Sequence, residues 1–302
     1  MMEFINQPTV LFILFLVGII LKFFPFTSKD LHSKINHFIL YVPLPAIVLV
    51  KIPQLKITYE VLFPIASAWI IFFLSAVFAY LFCKIFKYDN RTMACLILCC
   101  GLGNTSFVGF PFIKHFYGEQ NLQYAIFVDQ PGSFLILSTF GILIATSFGH
   151  GSFQISSVIM RLVKFPPFLI FIIALFLPEN WLPQNGISFL DFLGKWMVPL
   201  AMLSLGLQFN FSLKNIDWKT LSAGLVYKLI LAPFIIYILF FFILKKEGVL
   251  YDISVLECAM PPMITSSILA MKYKLDEELA TYLPTIGIIV SGVTLMVWKW
   301  IL

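Results

Sequence analysis

Runs of about 20 predominantly apolar residues, the length an α-helix needs to cross a bilayer, recur along this chain from end to end. Ten such spans are predicted, at 4–24, 35–50, 61–83, 92–114, 121–147, 157–177, 188–208, 219–243, 252–272 and 278–300. Within hydrocarbon every backbone polar group has to be satisfied by the protein itself, so only helices and closed barrels can span. Barrel strands alternate apolar and polar residues over about ten positions, and these runs do not alternate. Composition points the same way, with 60% hydrophobic and 12% charged residues. Soluble domains carry about 25% charged residues, so there is too little charge to cover a water-soluble body of 34.5 kDa. The predicted fold class is therefore an all-α polytopic membrane protein of ten transmembrane helices, with no soluble domain between the spans.

The 20 basic residues outnumber the 15 acidic ones, for a net charge of +5. No basic block is dense enough for nucleic acid, and the excess is instead a topological signal. The loops after spans 1, 3, 5, 7 and 9 carry 12 basic residues, Lys29 and Lys214 among them. The opposite side carries 7, including Lys56, and Lys228 falls inside span 8. The positive-inside rule makes the first side cytoplasmic and puts both termini on the non-cytoplasmic side of an inner or plasma membrane. The segment Met1-Met2-Glu3-Phe4 has no basic n-region and no A-x-A site follows, so the first span reads as a retained helix. Trp181, Trp218, Trp298 and Trp300 read as interfacial belts. The five cysteines form no CxxC pair, and Cys95 and Cys99, on one helix face, read as packing residues. Neither G-x-S-x-G, H-E-x-x-H nor a P-loop occurs, which argues against an enzyme and against ATP-driven pumping. No cofactor is implied beyond a coupling proton or sodium ion.

An even number of spans divides into two halves of five, residues 1–152 and 153–302. A shift of 153 residues lays Asn104 on Glu257, Val108-Gly109 on Pro261-Pro262, and Pro131 on Pro284. Spans 4 and 9 both place a polar residue and helix-breaking Gly or Pro at mid-membrane. A repeat with an odd number of spans is inserted upside down relative to its partner, the plan of many secondary transporters. Pro111, Pro261 and Pro262 cannot donate to the helical ladder, which predicts breaks in both spans. Crossed breaks would bring half-helix ends of opposite dipole to one point.

Among the ionisable residues within the spans, Asp129, Lys228 and Glu257 are the functional candidates, and Asp191, early in span 7, reads as interfacial. Asp129, with Gln130 beside it and Ser133 one turn on, costs about 2.5–3.5 kcal/mol to insert near the membrane centre; it reads as a proton carrier, a cation ligand or a structural anchor. Lys228 lies about 13 Å into the membrane, at 1.5 Å per residue beyond Lys219. It either attracts an anion, neutralises Asp129 or Glu257, or snorkels to the surface. Glu257, early in span 9, is either part of a coupling site or interfacial.

The stretch Gly103-Asn104-Thr105-Ser106-Phe107-Val108-Gly109-Phe110-Pro111, together with Ala259-Met260-Pro261-Pro262 and Leu269-Ala270-Met271-Lys272-Tyr273, resembles the auxin efflux carrier family. The resemblance implies two inverted five-helix repeats with crossed broken helices 4 and 9, related in fold to the bile-acid sodium symporters. It implies a scaffold of helices 1, 2, 6 and 7, a mobile transport domain of helices 3–5 and 8–10, and a homodimer formed through the scaffold. The implied substrates are small organic anions, carboxylates and auxin-like compounds, moved by an elevator-type alternating-access mechanism. The long loop between helices 5 and 6 of many plant members is absent, as in a compact bacterial-type permease. By analogy the substrate carboxylate approaches Asn104, Pro261 and Pro262, and Thr105, Gly109, Pro111, Met260 and Thr265 complete the expected substrate-binding set. Asp129, Gln130, Glu257 and Lys228 form the expected ion-coupling set. A sodium-coupled symporter using backbone carbonyls at the breaks, a channel and a transport-derived sensor are the alternatives; polarity confined to mid-depth favours alternating access over a channel.

Overall fold

Apolar runs of this length become helices, and a computed structural model of the chain describes residues 8–24, 27–28, 30–55, 58–150, 153–208 and 216–302. No strand occurs among the described residues; an isolated antiparallel bridge joins Gly103 to Pro262. Among the described residues, six helices are long and apolar enough to cross a membrane: Leu31–Lys51, Tyr59–Phe86, Glu119–Phe148, Gln184–Gln208, Trp218–Ile243 and Glu277–Ile301. The other predicted spans are present as shorter pieces. Pro8–Leu21 lies in the first, whose residues 4–7 fall outside the described residues, as do Lys29, Lys56 and Lys214. Span 4 divides into Asn90–Gly101 and Phe110–Tyr117, and span 9 into Val249–Cys258 and Ile264–Lys272. Span 6 divides into Ile155–Val163 and Pro166–Ala174, with Phe165 extended as a residue preceding proline prefers.

The break in span 4 is not where proline chemistry alone predicts it. Pro111 sits in the first turn of Phe110–Tyr117, where the missing N–H costs nothing. The chain instead leaves the helix after Gly101, and Leu102 is extended at φ −119°, ψ 126°. The half-helices end at Gly101 and Cys258, four residues off the 153-residue register. Pro131 and Pro284, aligned by that register, also differ: Pro131 lies in the π-helical segment Asp129–Phe134, Pro284 inside the continuous helix Glu277–Ile301.

The chain folds as two compact units whose segments alternate along it. The first comprises Met1–Thr58, Ser106–Gln123 and Val163–Phe211. Its helix Met197–Gln208 packs on Pro8–Leu21 and Leu31–Tyr41, and Gln184–Gly194 packs on Pro43–Lys51. The first contact is made through glycine. A β-carbon added at Gly18 would strike Leu203 O and come within 2.9 Å of Gly206 Cα; one added at Gly206 would strike Phe15 O. Buried Ser204 donates to Asn36 Oδ1 at 2.5 Å, and Trp181 Nε1 donates to Leu49 O at 3.2 Å.

The second unit comprises Tyr59–Thr105, Tyr124–Leu162 and Ser212–Leu302. Aspartates cap three of its helices: Asp89 accepts from Thr92 N, Asp217 from Lys219 N, and Asp276 from Leu279 N. Such caps satisfy amides that have no partner inside the helix. Thr92 Oγ1 also donates to Asp276 Oδ2 at 2.8 Å, tying two of these helix starts together. Within apolar surroundings, π-helical turns displace carbonyls from the regular ladder, and aromatic donors meet them. Trp69 Nε1 donates to Pro131 O at 3.1 Å in Asp129–Phe134, and Trp298 Nε1 to Leu229 O at 2.9 Å in Tyr227–Leu231. Trp298 is thus buried, not in a surface belt, whereas Trp218 and Trp300 are exposed.

The glycine contact of the first unit yields a direct expectation. Gly206→Leu forces backbone apart where it now touches, and overpacking of this kind costs about 1–3 kcal/mol. The thermal midpoint of the purified protein should fall by several degrees. Gly292, with nothing within 4 Å of an added β-carbon, provides the contrast. Gly292→Ala should leave the midpoint unchanged or raise it, since helical Gly is about 0.5–1 kcal/mol worse than Ala.

Candidate functional site

The interruptions of spans 4 and 9 meet inside the second unit through their own backbones. Gly101 closes its helix against span 3, where an added β-carbon would collide with Ser75 Oγ and lie 2.9 Å from Phe72 Cδ2. Beyond it, Asn104 N–H donates to Pro261 O at 2.8 Å and Met263 N–H donates to Leu102 O at 3.0 Å. Pro261 and Pro262 have no N–H, so the ninth span contributes a carbonyl here and its next donor is Met263. The two bonds satisfy backbone groups that the breaks release, which the bilayer interior requires. On the far side, a β-carbon added at Gly287 would lie 2.6 Å from Pro262 Cδ, so the Glu277–Ile301 helix approaches the break on a glycine.

Three ionisable side chains share this unit and are buried: Asp129 at 3% exposure, Lys228 at 1% and Glu257 at 1%. Asp129 opens the π-helical segment Asp129–Phe134 and accepts from Thr105 Oγ1 at 2.5 Å and from Gln130 Nε2 at 2.6 Å. The first break thereby fixes this carboxylate through the residue that follows Asn104. Lys228 lies in the π-helical segment Tyr227–Leu231 and does not snorkel; its ammonium donates to Cys258 O at 2.9 Å. Cys258 ends the half-helix Val249–Cys258, so the ammonium sits at the negative end of that helix dipole. Gly103 makes the room, since a β-carbon there would be 3.1 Å from Lys228 Nζ and 3.2 Å from Glu257 O.

Glu257 is enclosed by protein; among the described residues neither carboxylate oxygen has a hydrogen-bond partner, and its charged neighbours are Asp129 and Lys228. A lone buried ion carries a penalty of several kcal/mol, and removing one partner of a buried pair leaves the other uncompensated.

Of the expected substrate-binding residues, Asn104, Thr105, Met260, Pro261 and Pro262 are buried in this unit, whereas Thr265 is exposed. Gly109 and Pro111 belong to Ser106–Gln123 in the first unit. All four expected ion-coupling residues, Asp129, Gln130, Glu257 and Lys228, are buried in the second. The sequence reading missed Gly103 as the residue that admits the ammonium, and Leu102 and Met263 as backbone partners. The paired glycines at 101 and 103 were the available signal. Cys95 and Cys99 lie 4.0 Å apart through sulfur and are buried. No group of three or more His, Cys, Asp or Glu that could hold a metal occurs among the described residues.

This arrangement offers backbone donors at the start of Ile264–Lys272, where Thr265 is exposed, beside the buried carbonyl end at Cys258 and three buried ionisable side chains. A family model described as membrane transport protein matches residues 4–154 and 152–299. An uncharacterized transporter of Methanocaldococcus jannaschii is 29% identical over 97% of each chain. An uncharacterized transporter of Methanothermobacter thermautotrophicus is 30% identical over 98% of each chain. The chain is a multi-pass member of the membrane transport protein family, the auxin efflux carrier family that its broken fourth and ninth spans resemble.

Proposed function

We propose that the protein is a secondary carrier of small organic anions, carboxylates above all, working by an elevator-type alternating-access mechanism. The observation that carries this reading is the backbone junction of Asn104 with Pro261 and of Leu102 with Met263, surrounded by buried Asp129, Lys228 and Glu257. An anionic head group is received by the Asn104 amide and the amide end of the Ile264–Lys272 half-helix, where the dipole favours negative charge. Asp129 couples movement to a proton: one carboxylate with two hydrogen-bond donors is a poor dedicated sodium cage, which needs several oxygen ligands.

The elevator reading is supported by how the chain divides. Helices 1, 2, 6 and 7 supply most of one compact unit and helices 3, 5 and 8–10 most of the other. In this reading the second unit travels as the transport body while the first remains as scaffold and forms a homodimer. The two halves, 1–152 and 153–302, are inverted repeats with crossed fourth and ninth helices. One of the points at which the chain passes from one body to the other is Thr105–Ser106, within the π-helical segment Thr105–Gly109.

Three outcomes test the reading. Asn104→Ala should leave the protein folded but weaken binding by about 1–3 kcal/mol, the value of a hydrogen bond to a charged group. A thermal-shift titration across mono- and dicarboxylates measures this, and unchanged affinity removes Asn104 from the site. Asp129→Asn in proteoliposomes should abolish accumulation driven by a pH gradient yet preserve substrate exchange, which needs only the binding site and the moving body. Retained pH-driven accumulation would make Asp129 structural. With the cytoplasmic side as the 12 loop charges indicate, a cysteine placed at either terminus should react with an impermeant reagent on intact cells, and protection of both would reverse the orientation.

A further inference from the structure

The first unit carries a groove of about 460 Å³ between its second and seventh spans, lined by Lys34, Ile35, Phe38, Leu193, Trp196 and Leu200. Backbone positions inside the unit set its walls. Met197–Gln208 packs on Leu31–Tyr41, with Ser204 bonded to Asn36 across the contact. The seventh span is interrupted at Lys195 and Trp196, between Gln184–Gly194 and Met197–Gln208. At Gly194 the chain lies close on Pro43–Lys51, where an added β-carbon would be 2.7 Å from Ile47 Cγ1. Trp196, at the interruption, is 37% exposed, and Phe38 on the other wall is 45% exposed.

This lining complements an amphiphile. Its volume is within the range of about 300–1,000 Å³ typical of small-molecule sites, and five of the six residues are apolar. The sixth is a single ammonium. Because Ser204 is level with Asn36, Lys34 lies at the Leu200 end of the groove and Leu193 lies deepest. From Leu193 to Leu200 a helix rises about 10 Å, against about 15 Å for half of a hydrocarbon core. Lys34 is exposed and forms no ion pair among the described residues; Asp30, one turn earlier, is exposed as well. Charge separates the two occupants that an apolar groove in a membrane protein could take. A two-fold contact sets one surface against itself, so a second copy seated here adds another Lys34 ammonium to a lining without a carboxylate. Anionic phospholipids of the cytoplasmic leaflet bring the opposite charge, and Lys34 belongs to the side that the positive-inside rule makes cytoplasmic.

We propose that this groove binds one anionic phospholipid of the cytoplasmic leaflet, its phosphate on the Lys34 ammonium and the upper part of one acyl chain against Phe38, Trp196 and Leu200. The site is separate from the junction at Asn104 and Pro261, and it stands whatever solute the protein carries.

The test is native mass spectrometry of the purified full chain in detergent, titrated with dioleoylphosphatidylglycerol or with dioleoylphosphatidylcholine. The native protein should take up one phosphatidylglycerol ahead of weaker adducts, and at lower concentration than phosphatidylcholine. Lys34→Gln should weaken that first phosphatidylglycerol about fivefold, the contribution of one lysine beside an anionic surface, and leave phosphatidylcholine uptake unchanged. Leu200→Trp, which fills the groove, should weaken both lipids. Equal uptake of the two lipids by the native protein, or a Lys34→Gln variant that keeps the preference, overturns the proposal. Conversion of a dimer to a monomer by either variant with lipid uptake unaltered also overturns it, and assigns the groove to a second copy. Lys34 is exposed, so its replacement leaves the fold intact and decides the matter alone should Leu200→Trp fail to fold.

Discussion

A backbone amide inside a bilayer must find its partner within the protein, and the junction of Asn104 with Pro261 and Leu102 with Met263 is where this chain meets that demand away from any regular ladder. Everything distinctive about the second unit follows from it. The breaks are tolerated because each supplies what the other lacks, and they are useful because helix ends leave amides and carbonyls facing one place. Gly101, Gly103 and Gly287 are small because neighbouring atoms occupy the space a side chain would need.

The buried charges are placed by that same geometry. Asp129 is held by Thr105, the first residue past the fourth break, and Lys228 by Cys258, the last before the ninth. Each charge therefore reports on the conformation of one broken helix. Glu257 lies between them electrostatically and is bonded to neither. A low-dielectric interior makes each member sensitive to the others, so a change in one break is transmitted as a change in the cost of the charge on the other.

Much of this was legible in the sequence because transfer into lipid depends chiefly on composition. The long apolar runs, the interruptions at 101–111 and 259–263, and the ionisable residues at 129, 228 and 257 needed no neighbours to be noticed. What was misplaced depended on neighbours. Pro111 was assigned to a break although a proline in the first turn of a helix is harmless, and the interruption falls instead on the glycines before it. The alternatives for Lys228 and Glu257, snorkelling and an interface, were open because depth along a helix does not say which face is covered by protein. Trp298 looked like a belt residue by its place near a helix end, but its indole is required by the Leu229 carbonyl. The π-helical segments left no local signature, since their wide turns are stabilised by donors such as Trp69 from other helices.

Those wide turns bear on how the chain tolerates change. A π turn accommodates one residue more than an α turn, so each rotates everything that follows by about 100° relative to an uninterrupted helix. The segment Asp129–Phe134 sets the phase of the fifth span from its first ionisable residue onward, and Tyr227–Leu231 does so from the residue before Lys228. A substitution on the lipid-facing side of either span alters one contact. Loss of a single residue within it closes the wide turn and leaves the side chains that follow in the same phase, whereas closing the turn with every residue kept rotates the core face by about 100°. In these helices the wide turn is the place where a change of one residue is absorbed; elsewhere in the span the same change would rotate the core face.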